Sequence, residues 1–134
     1  MFDTVLIAGL GLMGGSMAKT IKARTLSRVL GWNRTRATAE QALADGSIDA
    51  IATEALYKEA DLVIIGLYPQ ATVDWLLENM PKMKKGCVIV DMVGVKQFMV
   101  DHLEQAALDA GVHYVGGHPM AGREFSGLDF ALPT

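Results

Sequence analysis

The sequence predicts an α/β fold in which helices cover both faces of a doubly wound parallel sheet, giving three layers in a single domain. Two observations predict it. Short apolar segments rich in Val, Ile and Leu recur along the 134 residues, and helical patterns separate them. Parallel strands of this kind are joined by right-handed crossovers, and their ligands bind at the carboxyl ends of the strands. A binding site is therefore expected in the segments that follow the strands.

Six apolar segments are too short and too continuous for amphipathic helices and are typical of strands buried on both faces. Cys87 begins one of them and is expected to be a buried strand residue. As the only cysteine, it has no partner for an internal disulfide. The six segments are Thr4–Ala8, Arg28–Trp32, Ile48–Ala52, Asp61–Leu67, Cys87–Met92 and His113–Gly116.

The segments between the strands show the three- and four-residue apolar spacing of amphipathic helices. Thr38 and Gln41 form a T-x-x-Q capping box, which predicts the start of a helix that ends at Gly46. Thr72 is expected to open a later helix, which Pro81 closes. The apolar positions are Met17, Ala18 and Ile21 in the first helix, Val73, Leu76, Leu77 and Met80 in the helix after Thr72, and Val95, Phe98, Met99, His102, Leu103, Ala106, Ala107 and Ala110 in the helix that ends at Gly111.

The charge balance argues against nucleic acid and membrane surfaces as partners. The chain has 12 Lys and Arg residues against 15 Asp and Glu residues, a formal net charge of −3, and its basic residues are scattered. Its longest uncharged stretch, Thr4–Ala18, contains four glycines and is shorter than the roughly 20 apolar residues that span a bilayer. Asp3 stands where a signal peptide would carry a cation, so we expect a cytoplasmic protein. No metal site is predicted.

A G-x-G-x-x-G segment follows the first strand directly and opens the first helix. Its first glycine permits a tight turn, its second allows the backbone to approach a pyrophosphate, and its third allows the helix to pack closely on the strand. Backbone N–H groups at the start of the helix then face the phosphates. We therefore expect a Rossmann-type NAD(P)-binding domain over residues 1–134. The segment consists of Gly9, Leu10, Gly11, Leu12, Met13 and Gly14.

The end of the second strand indicates which dinucleotide is preferred. Nineteen residues after Gly14, where NAD enzymes usually carry Asp or Glu for the ribose, the chain has Asn33, followed by Arg34 and Thr35. Asn33 and Thr35 can donate hydrogen bonds, and Arg34 can form a bidentate contact with a 2′-phosphate. NADP is therefore the expected cofactor, with NAD as a possible one. The alternative is that Arg34 and Arg36 are solvated residues at a helix start.

The segment after the fourth strand is a second candidate cofactor contact. Pro69 excludes further strand pairing. Leu67 and Tyr68 occupy positions at which a sheet of this kind contacts the adenosine and the nicotinamide ribose. Packing within the loop is the alternative for both. Leu67, Tyr68, Pro69 and Thr72 are accordingly predicted to bind the cofactor.

A loop rich in glycine follows the sixth strand and contains a histidine, at residues 116–127. His118 lies there between Gly117 and Pro119, at the edge of the sheet where the cofactor is expected. A neutral imidazole, with an ordinary pKa of about 6.5, can accept a proton from a substrate hydroxyl while the cofactor accepts a hydride. His118 is therefore the candidate catalytic residue, whereas His102 and His113 are interpreted as structural.

The sequence resembles the prephenate/arogenate dehydrogenases of tyrosine biosynthesis over nearly all of its length. The matching segments are G-L-G-L-M-G-G-S, A-D-L-V-I-I-G-L-Y-P-Q-A-T, Asp91 with Val95-Lys96, and G-G-H-P-M-A-G-R-E-x-S-G, the last being quite specific to that family. The resemblance implies an NAD(P)-dependent oxidative decarboxylation of prephenate or arogenate. It also implies that His118 draws the proton from the ring hydroxyl, with Gly94, Lys96 and Arg123 near the substrate.

Two departures from the family pattern bear on activity. The family usually reads D-x-G-S-V-K where this chain has D-M-V-G-V-K, so Gly94 replaces a serine. Loss of one positioned donor can cost on the order of 10² in rate. The family also continues into a helical domain that dimerises and supplies cations for the substrate carboxylates. The chain stops at Thr134, so that domain and the homodimer it forms are expected to be missing, leaving weak activity or none.

Two alternatives stay open. A β-hydroxyacid dehydrogenase-like NADP enzyme would share G-L-G-x-M-G and the N-R-T of Asn33, Arg34 and Thr35. That group, however, uses a lysine on a later helix and lacks G-G-H-P-M-A-G. The other alternative is a dinucleotide-binding fragment without turnover.

Overall fold

Strands and helices alternate along the chain in the computed structural model, which describes residues 2–92 and 97–115. The strands are β1 (Thr4–Ala8), β2 (Arg28–Trp32), β3 (Ala50–Ile51), β4 (Leu62–Ile65), β5 (Val88–Asp91) and β6 (His113–Val115). The helices are α1 (Leu12–Arg24), α2 (Arg36–Ala44), α3 (Glu54–Tyr57), α4 (Pro69–Asn79) and α5 (Gln97–Ala110), and a 3₁₀ turn at Met80–Lys82 follows α4. The predicted alternation is confirmed.

The sheet has the strand order β3-β2-β1-β4-β5-β6, and every pairing among these strands is parallel. The chain runs outward from β1 to β3, returns to the centre at β4, and runs outward again to β6. This is the doubly wound topology, and its switch point lies between β1 and β4. The carboxyl ends of those two strands flank the crevice in which ligands of such sheets bind.

Two apolar cores, one on each face of the sheet, produce the three layers. Leu6 and Ala8 of β1 belong to the core that α4 and α5 cover, whereas Val5 and Ile7 belong to the core that α1 and α2 cover. Successive strand residues point to opposite faces, so a strand with a core on both sides is apolar throughout. The continuous apolar segments have this cause, and the predicted fold class is confirmed.

Two helices begin earlier than predicted. α2 begins at Arg36 with Thr35 as its N-cap residue, and no side chain caps it, so the predicted capping box of Thr38 and Gln41 is wrong. α4 begins at Pro69 rather than at Thr72. A proline favours the first position of a helix because its φ is already helical and the N–H it lacks has no partner there.

Strand lengths and two helix faces also differ from the prediction. β3 covers only Ala50–Ile51, and β4 covers only Leu62–Ile65. Leu77 and His102 are exposed rather than on buried faces. Each directly precedes or follows a buried leucine but lies about 100° around the helix from it, on the side that faces solvent.

Cys87 is buried immediately before β5, close to its predicted place within a strand. Burial, aided by the negative charge of Asp61, raises the pKa of its thiol to about 12. A thiol with so high a pKa stays protonated at neutral pH and is a poor nucleophile.

Asp61 connects the starts of β1, β4 and β5 at the amino-terminal edge of the sheet, opposite to the crevice. One of its carboxylate oxygens accepts hydrogen bonds from the N–H groups of Asp3 and Thr4, each at 3.0 Å. The other oxygen pairs with Lys84, which precedes β5. Burial of the carboxyl group raises its pKa, but the hydrogen bonds from Lys84 and Thr4 outweigh this effect and lower the pKa of Asp61.

Asp61→Asn is expected to lower the free energy of unfolding by about 1–3 kcal/mol at neutral pH. The folded-state pKa of Asp61 lies below the ordinary value of 3.8, so its contribution is present above that value and is lost as the pH falls through the folded-state pKa. Urea unfolding should therefore separate the variant from the wild type at neutral pH and bring the two together in acid. Asp74→Asn, at an exposed carboxylate that accepts only from Gln70 within the described residues, is the matched control and should change little.

Candidate functional site

The glycine loop, residues 9–14, joins β1 to α1 at the carboxyl edge of the sheet. Gly9 has a φ of +95°, and a Cβ added there would lie 2.7 Å from the carbonyl oxygen of Gly66. A Cβ added to Gly14 would lie 1.7 Å from the carbonyl oxygen of Gly9. Both contacts involve backbone atoms, which cannot rotate away. The turn at Gly9 and the close packing at Gly14 therefore both require glycine.

The amino-terminal end of α1 is open. Gly11 is its N-cap residue, and a Cβ added there would meet no atom within 4 Å. No side chain caps the helix and its first turn has no acidic residue, whereas Lys22 and Arg24 lie in its last turn. Backbone N–H groups and the positive end of the helix dipole are thus available at this end. This arrangement suits a phosphate group.

β2 supports the glycine loop from one side. The Gly9 N–H donates to the carbonyl oxygen of Trp32 at 2.7 Å, and the Leu10 N–H donates to Asn33 Oδ1 at 2.8 Å. The Leu10 side chain is buried against Gly31, where an added Cβ would lie 2.9 Å from Leu10 Cδ1. Leu10 is therefore an anchor of the loop, whereas the Met13 side chain is half exposed.

The turn after β2 carries the residues expected to bind the ribose. Arg34 and Thr35 are exposed, and Asn33 Nδ2 donates to the carbonyl oxygen of Thr35 at 3.0 Å. Arg36 pairs with Glu40 at 3.1 Å. Arg34 has no ion-pair partner among residues 2–92 and 97–115. Of Arg34 and Arg36, Arg34 is thus the one without a competing carboxylate in the described part of the chain.

The segment after β4 lies beside the glycine loop. Leu67 Cδ2 lies 2.9 Å from the position of a Cβ on Gly9, and Tyr68 is 86% exposed. Thr72 is fully buried, and its hydroxyl donates to the carbonyl oxygen of Leu67 at 3.1 Å. Leu67 and Tyr68 therefore border the expected site, whereas the buried Thr72 side chain stabilises the turn through its hydrogen bond to Leu67. A contact between Thr72 and the cofactor stays a prediction.

A buried carboxylate lies at the same edge. Asp91 ends β5, and Tyr114 of β6 donates its hydroxyl to Asp91 Oδ2 at 3.2 Å. The sequence gives no signal for this pair, since it depends on the register of β5 and β6. Four predicted site residues lie outside the described ranges, and their roles stay predictions: Gly94, Lys96, His118 and Arg123.

Residues 2–92 and 97–115 contain neither a helix that could span a membrane nor a cluster of side chains that could bind a metal ion. None of their helices has both the length and the apolar character needed to cross a membrane. Their His, Cys, Asp and Glu side chains form no group of three or more that could hold a metal ion.

The fold and the loop together define a class of protein. A parallel sheet of order β3-β2-β1-β4-β5-β6 carries a glycine loop and an uncapped helix start at its switch point. These are the features of a Rossmann-type dinucleotide-binding domain.

Comparisons with known proteins identify the family. The family model described as "Prephenate dehydrogenase, nucleotide-binding domain" matches residues 17–133. The chain is 39% identical over 132 residues to the prephenate dehydrogenase of Bacillus subtilis (strain 168), covering 96% of this chain and 35% of that protein. The chain therefore belongs to the prephenate dehydrogenase family, as its nucleotide-binding domain. It spans about a third of the length of the curated relatives it matches.

Solved structures of dehydrogenases have a domain with the same fold. Prephenate dehydrogenase from A. aeolicus, in complex with hydroxyphenyl propionate and NAD⁺, matches with a TM-score of 0.77 and 26% identity over 91% of this chain and 43% of that one. The 3-hydroxyisobutyrate dehydrogenase of Mycobacterium tuberculosis matches with a TM-score of 0.74 and 20% identity over 87% of this chain and 42% of that one. The second likeness shows the fold alone, so it gives the β-hydroxyacid alternative no functional support.

Proposed function

We propose that the chain is the cofactor-binding part of an enzyme of tyrosine biosynthesis that oxidatively decarboxylates prephenate or arogenate with NAD(P). The observation that carries the proposal is an open glycine loop at the switch point of a domain of the prephenate dehydrogenase family. The partner is a small-molecule substrate, and the compartment is the cytoplasm. A helical domain beyond this chain would form a homodimer.

His118 is the proposed base. Its imidazole takes the proton of the ring hydroxyl and returns it to the phenolate that aromatisation forms. When bound, the nicotinamide accepts the hydride from the ring carbon that carries the hydroxyl. The bond to the ring carboxylate breaks, CO₂ leaves, and its electron pair completes the aromatic ring. The glycine loop contributes by fixing the orientation of the cofactor.

Three further residues are proposed on the substrate side. Lys96 and Arg123 are cations that suit the carboxylates of prephenate or arogenate. Gly94 stands where the family has a serine. Another group would therefore have to donate the hydrogen bond that the serine hydroxyl provides. The helical domain would supply further cations for the substrate carboxylates.

NADP is the proposed preferred cofactor. Arg34 supports this preference, because it is exposed and unpaired in the described part of the chain, and it directly follows the residue at which NAD enzymes carry a carboxylate. The A. aeolicus relative was solved with NAD⁺, so NAD stays a second cofactor.

Arg34→Ala is expected to raise the dissociation constant of NADP by about tenfold to hundredfold, because a charge-assisted contact with the 2′-phosphate is lost. The affinity for NAD should stay within about twofold of the wild-type value, since NAD lacks that phosphate. Calorimetric titration measures both constants. Arg36→Ala is the matched control, because Arg36 already pairs with Glu40, and its effect on NADP should be small. Equal affinities of the wild type for NAD and NADP would contradict the preference.

A comparison of substrates tests the reaction itself. A protein that carries this domain should reduce NADP with prephenate or arogenate, release CO₂, and leave 3-hydroxyisobutyrate unchanged. Reduction with the 3-hydroxy acid and none with prephenate or arogenate would overturn the proposal. The 134-residue chain alone should bind the cofactor with little turnover, because it spans about a third of its curated relatives.

A further inference from the structure

The Asn33 side chain connects the two segments expected to bind the dinucleotide. Its Oδ1 accepts a hydrogen bond from the Leu10 N–H of the glycine loop at 2.8 Å. Its Nδ2 donates to the carbonyl oxygen of Thr35 at 3.0 Å, in the turn that presents Arg34. One carboxamide is therefore shared between the loop next to the pyrophosphate site and the turn next to the 2′-phosphate site.

Both partners are backbone groups of fixed polarity, so they determine which side chain fits between them. The Leu10 N–H requires an acceptor. The Thr35 carbonyl also accepts from the N–H groups of Thr38 and Ala39, and a side-chain group that faces it must be a donor. A carboxamide supplies both, whereas a carboxylate would keep the acceptor and place a second oxygen against the Thr35 carbonyl. This requirement gives a physical reason for asparagine at the position where NAD enzymes carry a carboxylate.

The other contacts between β2 and the loop cannot replace this one. The Gly9 N–H donates to the carbonyl oxygen of Trp32, and the Leu10 side chain packs on Gly31. These contacts hold the loop against the strand, but neither reaches residues 34–35. Among the described side chains, the hydrogen bonds of Asn33 are the ones that join the loop to that turn.

We propose that Asn33 is a positioning residue that presets both segments before the cofactor arrives, so that the contribution of Arg34 to NADP binding depends on Asn33. The 2′-phosphate part of this inference rests on the proposed NADP preference, whereas the part that concerns the glycine loop does not. Presetting a loop lowers the entropy cost of binding, so losing it weakens affinity without removing a direct contact.

The first experiment needs no cofactor and measures amide hydrogen exchange in the 134-residue chain by NMR. Asn33→Ala should speed the exchange of the Leu10 amide by about tenfold relative to the Gly9 amide, which keeps its bond to Trp32. Asn33→Asp should leave this ratio near the wild-type value, because its carboxylate still accepts from Leu10. Asn79→Ala is the matched control, since Asn79 bonds Trp75 within α4, away from the loop, and it should not change the ratio.

The second experiment measures NAD and NADP affinity by calorimetry in four forms of the chain: wild type, Asn33→Ala, Arg34→Ala and the double variant. Asn33→Ala should raise the dissociation constant of NAD by about tenfold, and that of NADP by a larger factor, because the contribution of Arg34 is reduced as well. Arg34→Ala should weaken NADP binding less in the Asn33→Ala background than in the wild type, which is the non-additivity expected of a positioning residue. Asn79→Ala should leave the ratio of the two constants unchanged.

An unchanged Leu10 exchange ratio in Asn33→Ala would overturn the inference, as would additive effects of the two substitutions on NADP. Equal binding of NAD and NADP by the wild type would instead remove the proposed preference. In that case the Leu10 exchange and the NAD affinity of Asn33→Ala still decide whether Asn33 positions the loop.

Discussion

Gly14→Ala is expected to abolish dinucleotide binding and to lower the free energy of unfolding by about 3 kcal/mol or more. The new Cβ would lie 1.7 Å from the carbonyl oxygen of Gly9, so α1 must move away from β1 to make room. That movement displaces the helix N–H groups on which the proposed phosphate site depends. Urea unfolding measures the loss of stability, and calorimetric titration with NADP measures the loss of binding.

The next residue provides the matched control. A Cβ added to Gly15 would lie 3.4 Å from the carbonyl oxygen of Leu10, which is an ordinary contact. Alanine is also favoured over glycine within a helix by about 1 kcal/mol. Gly15→Ala should therefore keep its cofactor affinity and be at least as stable as the wild type. A Gly14→Ala protein with wild-type affinity for NADP would show that α1 does not pack on the loop in the way described.

His118→Asn is expected to lower turnover by about 10²–10⁴-fold in a protein that carries this domain. The asparagine amide can still form a hydrogen bond with the ring hydroxyl, but it cannot take its proton. Cofactor affinity should not change, because the glycine loop and the turn after β2 are untouched. Steady-state kinetics with prephenate and arogenate, together with calorimetry for NADP, separate the two effects.

His113→Asn is the control for that substitution, since His113 is exposed at the start of β6, the end remote from the carboxyl edge. It should keep wild-type turnover. Full turnover by His118→Asn would remove the histidine from the proposed chemistry, and an equal loss in both variants would point to a structural effect.

The fold could be predicted from the sequence because its signals are local. A continuous apolar segment such as Thr4–Ala8 is required wherever a strand has a core on each face, and β1 has one on each. The glycine loop was likewise predictable, since the left-handed turn at Gly9 and the close approach of Gly14 to the Gly9 carbonyl lie within six residues. Patterns of this kind depend little on distant parts of the chain.

The helix starts and the supporting side chains were harder to predict. A T-x-x-Q pattern at Thr38 and Gln41 is a valid capping signal, but the turn after β2 is short and α2 begins before it. Leu10 and Thr72 were predicted as cofactor contacts, and those contacts stay predictions. The sequence did not show that their buried side chains also hold the loop and the turn. The role of Asn33 depends on a hydrogen bond across 23 residues, which no local pattern reports.

An NMR titration of the 134-residue chain with NADP tests most directly whether the carboxyl edge of the sheet binds the dinucleotide. The largest saturable shifts are expected at the amides of Gly11, Met13 and Arg34, with little change at Lys84 and Cys87 on the opposite edge. Saturable shifts centred on Lys84 and Cys87, or no saturable shift at any amide, would contradict the proposed site.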